Sequence, residues 1–76
     1  MKATTTPAGF FGTEQLHTIV VGGKAQPTGP LSGKMSALAC RVLNGEDEAK
    51  VFAPESRDYA ARVMDVVTTV RANTEA

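Results

Sequence analysis

The sequence has one cysteine, Cys40, one histidine, His17, and no tryptophan. A lone cysteine excludes an intrachain disulfide. One Cys with one His cannot furnish a four-ligand structural zinc site. Long apolar runs are also missing. The longest, Ile19-Val20-Val21 and Ala37-Leu38-Ala39-Cys40, fall far short of the roughly 20 residues that span a bilayer. Met1 to Pro7 contain no apolar stretch like the core of a signal peptide. With no export signal and a lone thiol, a cytoplasmic location is expected.

An excess of charge of either sign is absent too. Eight Lys and Arg balance eight Asp and Glu. The basic residues (Lys2, Lys24, Lys34, Arg41, Lys50, Arg57, Arg62, Arg71) are scattered along the chain. Nucleic-acid binding needs them clustered, so this pattern argues against it.

What is there is a chain of 76 residues and 8.0 kDa, enough for one small domain. A domain of this size buries only about 60% of its unfolded surface, and such chains usually need a staple. With disulfide and zinc removed, the expected staple is a second copy of the chain or another protein.

Residues 1–14 read as an irregular arm, because they carry Pro7, Gly9 and Gly12. Phe10 and Phe11 interrupt it. The simplest expectation is that one of them plugs the domain's own core; the sharper one is that the arm docks on a neighbouring subunit. Residues 15–73 read as the folded domain and 74–76 as a frayed end. Residues 15–21, QLHTIVV, are rich in β-branched side chains and stop at Gly22-Gly23, which predicts a strand. Residues 22–34 hold four glycines and two prolines and read as a loop.

The next segment supports two readings. As a helix over 33–44, it places Met35, Leu38, Ala39, Val42 and Leu43 on one apolar face, with Ser32 as N-cap and Asn44-Gly45 as a left-handed stop. As a strand, it makes Asn44-Gly45 a hairpin turn that pairs Leu38 with Val51 and Arg41 with Glu48. Alanines and few β-branched residues favour the helix. Residues 48–53 alternate and predict a short strand. Residues 54–72 predict an amphipathic helix, with Tyr59, Val63, Val66, Val67 and Val70 on its apolar face. Asp58, Arg62, Asp65 and Thr69 lie opposite. The expected fold is α+β: strand 15–21, helix 33–44, strand 48–53, helix 54–72. The alternative is an antiparallel β-β-β-α arrangement.

No complete catalytic set is visible. Gly29 to Ser36 imitates a phosphate loop but has three residues between its glycines where four are needed, and Met35 where the metal-holding Ser or Thr belongs. A weaker version survives: Gly23, Lys24, Ser32, Gly33 and Lys34 together could seat a phosphate-containing small molecule without catalysis. His17 reads as an ordinary strand residue, although it is the one side chain suited to general-base work near neutral pH. Cys40 reads as a small buried hydrophobe. Glu46-Asp47-Glu48 reads as a solvated turn and lacks calcium-loop spacing.

Two function classes follow. The preferred one is a non-enzymatic protein-binding module, an adaptor or inhibitor of the kind phages and mobile elements carry, acting as a homo-oligomer with no cofactor. Its expected interface residues are Phe10, Phe11, Val63, Val66, Val67 and Val70. The alternative is a small-anion or nucleotide-binding protein using the 22–36 loop.

Overall fold

The computed structural model describes residues 1–75. Its elements are strands β1 (Ala3–Phe11), β2 (Glu14–Val21), β3 (Lys24–Ala25) and β4 (Leu31–Ser32), then helices α1 (Gly33–Leu43), α2 (Glu48–Val51) and α3 (Arg57–Glu75). The fold is α+β.

The irregular arm expected over 1–14 is instead the longest strand and a tight turn. Thr4, Thr5 and Thr6 are β-branched and pair antiparallel with Val20, Ile19 and Thr18. Pro7, Gly9 and Gly12 do not prevent this. Pro7 lies on an edge strand, Gly9 in a bulge and Gly12 in the turn, the three places a sheet tolerates such residues. β1 pairs with one side of β2, and β3 and β4 share the other. Within the expected 22–34 loop, Gly22 and Gly23 both have positive φ, 59° and 79°. That is the two-residue geometry that returns β3 onto β2 with a matching twist.

Residues 33–43 are helical. Ser32 caps α1 by accepting the Met35 N–H at 3.2 Å. Asn44-Gly45 ends the helix rather than turning a hairpin. Gly45, at φ 97°, donates to Val42 O at 3.0 Å and Glu46 donates to Arg41 O at 3.1 Å, the paired bonds of a Schellman stop. The hairpin alternative fails because its second arm is not a strand. Within residues 48–53, expected as a strand, 48–51 form the single helical turn α2 and Phe52-Ala53 the turn that follows it. The Asp47 carboxylate accepts the Ala49 N–H at 3.1 Å and so caps a run of helix formers, Glu-Ala-Lys. Pro54 stands in the turn before α3 and not in its first turn. Ser56 supplies that cap, accepting the Tyr59 N–H at 3.2 Å, so the helix runs 57–75 instead of 54–72. Thr74 and Glu75, expected to fray, are its last residues; Ala76 lies outside the described residues.

α1 packs on β1 and β2, and α3 packs on α1. The shortest extent of the molecule is 15 Å, which fits one helix layer on one sheet layer. The core joins Ile19 from β2, Leu38, Ala39, Val42 and Leu43 from α1, Val51 from α2, and Val63, Val67 and Val70 from α3. The valine stripe of α3 thus faces inward, as its spacing predicts, with Tyr59 and Val66 packed at its margin. Among the described residues no helix is long and apolar enough to cross a membrane.

Candidate functional site

The core accounts for three of the six expected interface residues. Val63, Val67 and Val70 are fully enclosed by their own chain, so they have no surface to offer a partner. The correction has a simple cause. A valine stripe on a helix states only that something covers it, and α1 is near enough to do so.

Phe10 and Phe11 go the other way. Neither plugs the core: Phe10 is 68% exposed and Phe11 77%. The reason is one of reach. α1 has 11 residues, about 16 Å at 1.5 Å per residue. β1 has 9 residues, about 30 Å at 3.3 Å per residue. The C-terminal end of α1 is anchored beside Ala3 through Asn44, and its first residue, Gly33, lies against His17, the partner of Pro7. Along β1 only Ala3 is buried; Thr4 to Pro7 are exposed and Ala8 is half-buried. The hairpin tip, closed by the Gly12-Thr13 turn between Phe11 and Glu14, projects past α1. Adjacent strand residues point to opposite faces, so Phe10 and Phe11 put one ring on each side of the tip.

The expected anion site is divided. Lys24 pairs with Val21 at one end of β2, and Ser32 pairs with Leu16 towards the other. Leu16 and Val21 are five positions apart, about 17 Å along a strand. Gly23 and Lys24 thus lie far from Ser32, Gly33 and Lys34. Near Lys24 is an open cleft of about 330 Å³ lined by Val21, Gly22, Lys24, Gln26, Asn73 and Thr74. Its buried Gln26 is already partnered: its amide donates to Lys24 O at 3.0 Å, and its carbonyl accepts from Asn73 at 2.9 Å. Ser32 is engaged as the α1 cap. Lys34 pairs with Glu55 at 2.7 Å and sits 4.9 Å from the centroid of the Tyr59 ring. The hydrogen bond to Glu55, reinforced by the charges of Glu55 and Tyr59, holds the Lys34 ammonium above the usual lysine range. These bonds give Lys34 a structural task, tying the start of α1 to the turn before α3.

The remaining candidates also have local roles. Cys40 is buried, and burial pushes its thiol up, opposite to the shift that activates a cysteine nucleophile. His17 Nδ1 is buried with no hydrogen-bond partner among the described residues, and a Cβ at Gly33 would come within 3.5 Å of its Nε2. Glu46 pairs with the Arg41 guanidinium at 3.1 Å, and Asp47 caps α2. Sequence reasoning missed Glu55 and Tyr59 as partners of Lys34, and Asn44 as a partner of Ala3. The Asn44 carbonyl accepts the Ala3 N–H at 2.6 Å and its amide donates to Ala3 O at 3.0 Å. Only the Asn44-Gly45 dipeptide hinted at a special role, and nothing in it named a residue 41 positions away.

The chain matches no protein-family model, and comparison with curated proteins and with solved structures gives no match either.

Proposed function

We propose that this chain is a non-enzymatic protein-binding module, an adaptor or inhibitor, whose contact surface is the tip of the β1–β2 hairpin. The observation that carries this reading is the exposure of two consecutive phenylalanines, 68% and 77%, at a short, tightly turned tip. Large aromatics are the side chains most enriched as anchors in protein interfaces. Here they contribute nothing to the core, so folding gives no reason for them. Rings on both sides of the tip suit a partner groove that grips the hairpin from two sides. The first partner to consider is a second copy of the chain, since a core this small gains most from assembly.

Light scattering over a range of concentrations tests this on the wild-type chain and on Phe10→Ser/Phe11→Ser. Self-association through the tip gives a mass above 8.0 kDa for the wild type and 8.0 kDa for the double variant. If both stay at 8.0 kDa, a photo-crosslinking residue at position 11 reports on other proteins. Adducts that excess wild-type chain competes away, and the double variant does not, support the reading. Monomers with no competable adduct overturn it.

A further inference from the structure

β1 lies at the open edge of the sheet. Its nine residues, Ala-Thr-Thr-Thr-Pro-Ala-Gly-Phe-Phe, carry no charge. Such an edge is a template for another strand, and charged residues, the commonest guard, are missing from it. The structure supplies a different guard. In an antiparallel ladder the N–H and C=O of a residue point to the same side, and the side alternates from residue to residue. Both main-chain groups of Ala3 are taken by the Asn44 carboxamide, so they point away from β2. The register is unbroken from Ala3↔Val21 to Pro7↔His17. Thr5 and Pro7 therefore face the open edge as well, while Thr4 and Thr6 face β2.

The edge positions from Ala3 to the bulge can then be assigned. Ala3 is occupied by a side-chain amide, which has the donor and acceptor pattern of a neighbouring peptide. Pro7 has no N–H to give. Beyond it the register shifts through a bulge at Ala8-Gly9, with Gly9 at φ 105°, and the Gln15 amide donates to Gly9 O at 2.7 Å. Between Ala3 and Pro7, Thr5 is left as the one residue, among those described, able both to donate and to accept along the edge. We propose that β1 is an edge closed to strand addition, with Asn44, Pro7 and the Gly9 bulge preventing a second copy of this chain from pairing with it. A strand that adds to an edge needs successive two-residue rungs, and the stretch from Ala3 to Pro7 offers one. The inference is independent of the hairpin-tip reading: it concerns main-chain groups, not the phenylalanines.

Amide exchange on the wild-type chain tests the assignment directly. Thr5 should exchange fast, and Ala3, Thr4 and Thr6 slowly. A slow Thr5, or one whose protection rises with protein concentration, overturns the proposal. Pro7→Thr then restores the missing donor. Built on Phe10→Ser/Phe11→Ser so that the tip cannot contribute, it should raise the mass above 8.0 kDa at concentrations where the double variant stays at 8.0 kDa, with Thr5 becoming protected in the associated form. Adding Asn44→Ala opens the second rung and should strengthen self-association further. Since Pro7→Thr is read by itself, loss of folding in the Asn44 variant leaves the test intact. Unchanged self-association in a folded Pro7→Thr chain means the edge is not guarded by this residue and overturns the proposal.

Discussion

At one end of β1 sits Ala3, 4% exposed and held through both main-chain groups; at the other sit Phe10 and Phe11, both largely in solvent. The smaller and less hydrophobic residue is the buried one. Burial along this strand does not follow side-chain hydrophobicity: Ala3 is enclosed where Asn44 ties the strand to the end of α1, while Thr4 to Pro7 and the hairpin tip are exposed. The contrast separates residues that make the fold from residues that the fold presents. The core is built of alanine, valine, leucine, one isoleucine and one cysteine, and two of the three phenylalanines are left outside it.

The largest effect is expected where coverage is complete. Val67→Asp places an unpaired carboxylate in the core, on the same face of α3 as Val63 and Val70. It should cost at least about 4 kcal/mol and abolish the cooperative thermal transition followed by circular dichroism. A folded Val67→Asp chain with an unchanged midpoint would mean that the stripe of α3 is not enclosed.

Next comes the clamp at the buried end of β1. Asn44→Ala leaves the buried Ala3 N–H without a partner, and the expected loss is about 1–3 kcal/mol. The Schellman bonds at Gly45 and Glu46 are main-chain bonds, so the end of α1 itself should survive. Denaturant unfolding measures the loss, and exchange at Ala3 should accelerate with it. An Ala3 amide that stays protected would show that Asn44 does not hold this end.

A smaller, pH-dependent effect comes from two further side chains of α1, the buried Cys40 and the exposed Lys34. Cys40 and Lys34 both keep their protons more firmly in the folded state than in the unfolded one. Each contribution is fully present below the unfolded-state value and declines as pH rises through the folded one. As pH rises above about 9, the unfolded state gives up the thiol proton first, so stability falls with pH. A second decline follows above about 10.5 as Lys34 and Glu55 lose their pairing. Thermal midpoints from pH 8 to 11 should therefore fall. Cys40→Ala should flatten the earlier part of the slope and Lys34→Met the later part. A profile that rises over this range would contradict both assignments.

The same contrast bears on what could be read from the sequence. The faces of α1 and α3 were legible because their apolar spacing repeats locally, as were the Ser32 cap and the strand ending at Gly22-Gly23. β1 was not, because Pro7, Gly9 and Gly12 are strong local breakers and their tolerance depends on an edge, a bulge and a turn that only the pairing with β2 defines. α2 was misread because four residues are too few to show a period. For the site, the exposure of Phe10 and Phe11 depends on how far α1 reaches, which no local pattern states. The proximity of Gly23, Lys24, Ser32, Gly33 and Lys34 in sequence suggested a shared site, but β2 holds the two groups at separate positions along its length.

The smallest stability effect should come from the most hydrophobic side chains. Phe10→Ser/Phe11→Ser removes two rings that touch little of their own chain, so the folded state loses almost no packing. The unfolded chain exposes these rings as well, so removing them changes both states alike. The expected change is within about 0.5 kcal/mol, the range of ordinary surface substitutions. In Val67→Asp one charge at a single buried position decides whether the domain folds; here the loss of two phenylalanines should change its stability very little. Denaturant unfolding at a concentration low enough to keep the chain monomeric makes the comparison fair, because assembly would otherwise add stability by mass action. A loss above about 1 kcal/mol under those conditions would place the rings in the fold, beyond what ordinary surface positions contribute. It would also remove the reason for assigning them to a partner.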